Sequence, residues 1–99
     1  MNIKISSLHF DADIKLEEFI KDKINKFVKK HEYVIGSEVI LKLDNTNTLE
    51  NKIVEIKLMI PGNDVFAKKQ SKSFEEATDL VIDALNKQLI KRKEKNKGK

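Results

Sequence analysis

Apolar residues recur at every second position in four short stretches of this chain, and at every third or fourth position in two longer ones. The first period suits a strand with one buried face, the second a helix with one buried stripe. Ile3 and Ile5 alternate with Lys4 and Ser6, which predicts a first strand. After Leu8 and Phe10, the run Asp11-Ala12-Asp13 offers carboxylates to cap a helix. Leu16, Phe19, Ile20, Ile24, Phe27 and Val28 then keep helical spacing, predicting a helix from Ile14 to His31, with Gly36 in a turn beyond it. Val39, Leu41 and Leu43 alternate with Glu38, Ile40 and Lys42 in a second strand. Asp44-Asn45-Thr46-Asn47-Thr48 reads as a turn-rich loop. Val54, Ile56, Leu58 and Ile60 share one face of a third strand, with Glu55 and Lys57 on the other. Pro61-Gly62-Asn63-Asp64 signals a hairpin into a fourth, Val65 to Lys69. Ser73 and Glu76 have the spacing of a capping box. Phe74, Ala77, Val81, Ala84, Leu85 and Leu89 then continue as a helix that fades into Lys91-Arg92-Lys93-Glu94-Lys95.

The order β-α-β-β-β-α, with strands that are polar on one face, predicts an α+β fold. It is a two-layer sandwich in which a four-stranded mixed sheet carries both helices on one face. Ninety-nine residues suffice for one core, so residues 1–95 are expected as a single domain and 96–99 as a basic, disordered tail. If the first two strands are parallel neighbours, the right-handed crossover makes the first helix antiparallel to both. A meander through strands two to four then gives the second helix the same direction as the first. Two parallel helices bring their C-terminal ends to one edge of the molecule.

Charge is distributed unevenly along this plan. Residues 84–99 hold seven bases and one acid, whereas residues 1–83 hold thirteen bases and fifteen acids, within a net charge of +4. The first helix ends in Lys23, Lys26, Lys29 and Lys30, the second in Lys87, Lys91, Arg92 and Lys93. Each helix also begins with acids: Asp13, Glu17 and Glu18 on the first, Glu75, Glu76 and Asp79 on the second. Complementing the helix dipole accounts for two or three bases per helix. A cluster of about eight at one edge suits a polyanion such as RNA.

Other chemistries find little support. With no cysteine, disulfides and thiolate catalysis are excluded. His9 and His31 have no metal-pair spacing, and the three glycines form no phosphate-cradling loop. His31 suits a partner for the helix end or an extra phosphate contact. No enzymatic activity, cofactor or metal is expected. No apolar run approaches the roughly 18 residues of a membrane span, so the chain reads as cytoplasmic and off the membrane. The wet sheet face offers Ile40, Ile53, Met59 and Phe66, either tolerated surface residues or a modest patch for a protein partner. Base stacking on strand aromatics would require more than Phe66.

Several segments resemble the family of ribosome hibernation promoting factors and ribosome-associated inhibitors, also called sigma-54 modulation proteins. Glu18-Phe19-Ile20-Lys21-Asp22-Lys23-Ile24-Asn25-Lys26-Phe27 is similar to the family's E-Y-V-x-x-K-L-x-K-L segment. Val34-Ile35 before Val39-Ile40-Leu41, and then Ile60-Pro61-Gly62, match its strand landmarks. Leu85-Asn86-Lys87-Gln88-Leu89-Ile90-Lys91-Arg92-Lys93 is similar to its L-x-[KR]-Q-L-x-K-x-K helix. Where the family often opens that helix with an acid and a tyrosine, this chain has Lys72-Ser73-Phe74, which removes a hydroxyl but leaves Ser73 to cap. The like-charged helical face predicts a monomer when free, and the resemblance implies binding to the small ribosomal subunit in the mRNA and tRNA channel, which silences translation in stationary or stressed cells. It implies ribosomal RNA contacts from Lys23, Lys26, Lys29, Lys87, Lys91 and Lys93. It also implies a short form, without the additional domain that pairs ribosomes in longer members. The sigma-54 label suggests an alternative, a protein-interaction regulator working through Ile40, Ile53, Met59 and Phe66.

Overall fold

Six elements follow one another in the computed structural model, which describes residues 2–8, 10–44 and 49–97, with side chains as far as Lys91. They are β1 (Asn2–Ser7), α1 (Ile14–Val28), β2 (Gly36–Leu43), β3 (Lys52–Met59), β4 (Val65–Ser71) and α2 (Phe74–Lys97). His9 and residues 45–48 of the expected loop lie outside the described residues, as do Gly98 and Lys99. The strand order is β1-β2-β3-β4, with β1 parallel to β2 and the other two pairings antiparallel. The fold is the expected α+β arrangement with a mixed four-stranded sheet.

Register shows why the alternation works. Ile5, Val39, Ile56 and Ala67 stand side by side across all four strands and point into the core. The next row on that face is Ile3, Ser37, Leu58 and Val65. Ile20, Ile24 and Phe27 of α1 and Ala77, Val81, Leu85 and Leu89 of α2 close over these rows. Each large side chain fully buried here is worth roughly 1.5–3 kcal/mol against remaining in water, which makes this layer the main source of stability.

Element ends follow local chemistry. The Asp13 carboxylate accepts from the Lys15 amide at 3.0 Å and opens α1. Ser73 Oγ accepts from the Glu76 amide at 3.1 Å and opens α2, as the capping-box spacing predicts. Gly62, at φ 95°, turns the chain between β3 and β4, and Asp64 accepts from the Ile60 amide across that turn.

Two sequence expectations require correction. α1 ends at Val28 rather than His31, because the Lys30 and His31 amides turn to acceptors three residues back, Phe27 and Val28. Gly36 belongs to β2 rather than to the turn before it. A Cβ there would meet Met59 Cε at 2.9 Å and the Asn2 carbonyl oxygen at 3.2 Å, so a larger residue would require the Met59 side chain to swing aside and β1 to shift by a few tenths of an ångström. Helix α2 runs to Lys97. Residues 91–97 are mostly lysine and arginine, which favour helix.

The outer sheet face is more ordered than a merely wetted surface. Glu55, expected to be exposed, is buried and accepts from Lys42 at 2.7 Å, with Lys68 at 3.8 Å. These are cross-strand neighbours: Lys68 is directly opposite Glu55 on β4, and Lys42 lies diagonally across on β2. Lys57 and Glu38, directly paired by register, make a second bridge at 3.2 Å. Ile40 lies between these pairs and Phe66 remains exposed at one edge.

Candidate nucleic-acid interface

The relative direction of the helices is established by two contacts. Lys23 Nζ on α1 meets Asp79 Oδ1 on α2 at 3.3 Å, and His31 Nε2, just beyond α1, meets Asn86 Oδ1 at 3.3 Å. Advancing eight residues from Lys23, to just past the end of α1, thus advances seven along α2 in the same sense, so the helices are parallel. This follows from the parallel β1–β2 pairing and the meander after it.

Between them runs a groove with Phe27 and Ile82 at its base and Lys23, Lys26, Lys30, Asp79, Asp83 and Asn86 along its sides. Lys23 is half-buried: its ammonium group bonds Asp79 and lies 5.5 Å from the centre of the Phe19 ring, so it is held in place. Lys26 and Lys30 are exposed on the α1 side. Lys29 points away from the groove and lies with Asp22, Asn25 and Glu32 on the opposite flank of α1. Lys87 is exposed on α2. Lys91, also exposed, lies about 7 Å further along the axis than Asn86, beyond the level where α1 ends. The backbone of α2 carries Arg92 and Lys93 further still, and their side chains lie outside the described residues.

The six of these bases whose side chains are described form a strip rather than a single cluster. Lys23, Lys26 and Lys30 flank one groove, Lys87 and Lys91 are exposed further along α2, and Lys29 sits to one side. Three of them are already paired. Besides the Lys23–Asp79 bridge, Lys26 bonds Asp22 at 3.1 Å and Lys87 bonds Asp83 at 3.2 Å, each one helical turn away. Lys29, Lys30 and Lys91 make no ion pair among the described residues. Sequence reading identified the lysines and missed their partners. The four-residue spacings Asp22–Lys26 and Asp83–Lys87 were available as a signal; the pairing of Lys23 with Asp79 depends on how the helices meet.

His31 has a structural role at this site. Its ring packs 4.8 Å from Phe27, its Nδ1 meets the Tyr33 hydroxyl at 3.2 Å, and its Nε2 reaches Asn86. It thereby fastens the end of α1 to the middle of α2. Among the described residues no group of three or more carboxylate or histidine side chains is arranged to hold a metal ion. No helix among them is long and apolar enough to cross a membrane.

The sequence model of a family described as Sigma 54 modulation protein / S30EA ribosomal protein matches residues 3–97. A ribosome hibernation promoting factor of Pseudomonas putida is 30% identical over 98 residues, which span 99% of this chain and 92% of that protein. One from Azotobacter vinelandii is 30% identical over 95 residues, spanning 96% of this chain and 85% of that protein. Among solved structures, a ribosomal subunit interface protein from Coxiella burnetii matches with a TM-score of 0.81 at 25% identity, over 94% of this chain and 98% of that one. The N-terminal domain of Thermus thermophilus Protein Y matches in fold with a TM-score of 0.74 at 20% identity, over 89% and 94% of the two chains.

Proposed function

The chain belongs to the Sigma 54 modulation protein / S30EA ribosomal protein family, and we propose that it is a ribosome hibernation factor that lays its two-helix face against ribosomal RNA of the small subunit. In this reading it occupies the channel used by mRNA and tRNA and holds translation silent in stationary or stressed cells. It acts by occupancy alone, as a cytoplasmic monomer without a catalytic step.

The observation that supports this reading best is the parallel pairing of α1 and α2. It aligns Lys23, Lys26 and Lys30 with Lys87 and Lys91 along one side of the molecule, beyond what dipole complementarity requires. Ammonium groups in such a row suit the regular phosphates of an RNA backbone, and phosphate contacts position a protein whatever the base sequence. Arg92 and Lys93 would extend the row, and Lys29 would touch RNA on the outer flank. The relatives named as ribosome hibernation promoting factors support the same partner.

The test is to sediment a lysate of stationary-phase cells through a sucrose gradient and blot the fractions. The protein should travel with small subunits or whole ribosomes, and the purified protein should inhibit translation in an extract. Protein that stays at the top of the gradient, or follows only large subunits, would contradict the proposal.

A further inference from the structure

A surface made only to attract phosphate would not carry acids among its lysines, yet this one does. Asp22 bonds Lys26 at 3.1 Å, Asp83 bonds Lys87 at 3.2 Å, and Asp79 bonds Lys23 at 3.3 Å. Asp79 and Asp83 lie one turn apart on the side of α2 that faces α1, within the groove itself, and Asp22, one turn before Lys26, shares the outer flank of α1 with Lys29. Packing does not demand carboxylates there. Asp22 and Asp83 have side chains 61% and 63% exposed, so neither fills core space. The i,i+4 pairs stabilise a helix by only a few tenths of a kcal/mol, a small return for placing negative charge on an RNA-binding face.

We propose that Asp22, Asp79 and Asp83 are specificity determinants that attenuate the basic strip, so that a stray stretch of RNA is held poorly while the cognate ribosomal surface is held well. The inference rests on the RNA-binding reading above. Each phosphate that engages Lys23, Lys26 or Lys87 must first displace a carboxylate, and it also meets that carboxylate's repulsion. A flexible single strand reaches one or two lysines at a time and bears this cost without compensation. A rigid surface that meets the whole strip at once also engages Lys29, Lys30 and Lys91, which have no carboxylate to displace among the described residues. Discrimination is the difference between two affinities, and an element that repels the wrong partner raises it. The cytoplasm makes this useful, because messenger and transfer RNA would otherwise compete for a basic protein of this kind.

The experiment compares wild type with Asp22→Asn/Asp83→Asn and, separately, Asp79→Asn, each checked for an unchanged circular dichroism spectrum. Affinity is measured for a fluorescent oligouridylate and for purified small subunits. Asp11→Asn, away from the strip and before the start of α1, is the control for net charge, with effects compared per charge removed. Removing each pair should tighten oligouridylate binding roughly two- to five-fold, in line with the strength of exposed ion pairs. Small-subunit affinity should change less, so the ratio between the two falls. Unchanged oligouridylate binding would overturn the proposal. So would an equal gain in the Asp11 variant, or equal gains on both ligands that preserve the ratio. Failure of wild type to bind small subunits would instead contradict the functional reading, while the oligouridylate comparison would still report on the aspartates.

Discussion

At the scale of single residues, two positions carry conformational or polar costs that can be measured. Gly62 holds φ at 95° with open space where a Cβ would project, so substitution there meets backbone strain and no clash. Gly62→Ala should lower stability by about 1–2 kcal/mol, read as a lower urea midpoint at constant slope. Ser37 is the reverse case. Its hydroxyl is buried between Ile3 and Leu58 in the register and finds no hydrogen-bond partner among the described residues. An orphaned hydroxyl costs roughly 1–3 kcal/mol of desolvation, and alanine removes it with little loss of volume. Ser37→Ala should therefore leave the urea midpoint unchanged or raise it; a fall of more than about 1 kcal/mol would show that the hydroxyl is satisfied in solution. Glu55 shows how a charged residue can be buried on the outer side of a sheet, because two cross-strand lysines accompany it.

At the scale of elements, most of the architecture is legible in the chain. Val54, Ile56 and Leu58 declare a strand with one buried face because a one-residue slip would turn all three to water. Ser73 and Glu76 mark the start of α2 through a bond the structure contains. Illegible features depend on partners remote in sequence. Gly36 looks like a turn residue until Asn2 and Met59 close in from both sides. His31 reads as a partner for the helix end or a phosphate contact until Asn86, fifty-five residues away, takes its Nε2. The candidate site divides in the same way: its lysines follow from helical position, whereas their grouping into groove and flank follows from packing. Two element-level outcomes follow. Ser73→Ala should cost about 1 kcal/mol by removing the cap of α2. Leu85→Ala, at the centre of the same helix and with no solvent exposure, should cost about 2–5 kcal/mol through the cavity it leaves. Both are read by chemical denaturation. The proposed interface lies on helices, so the Leu85 variant should lose ribosome binding only as it unfolds.

At the scale of the whole molecule, the two faces make opposite claims. The helical face presents a strip of lysines, and the outer sheet face presents paired charges around Ile40 and Phe66. If about six bases meet phosphates, affinity for small subunits should fall by orders of magnitude between roughly 50 and 200 mM salt. An affinity flat across that range would indicate apolar contact instead. The faces are separated most directly by measuring small-subunit binding of two variants beside wild type. Lys26→Glu/Lys87→Glu/Lys91→Glu alters exposed helical positions, where each change shifts stability by only about 0.5 kcal/mol. Ile40→Ser/Phe66→Ser alters the sheet face. The lysine variant should stay folded yet no longer sediment with small subunits, while the sheet variant should still do so. A lysine variant that remains bound, with the sheet variant released, would contradict an interface on the helical face.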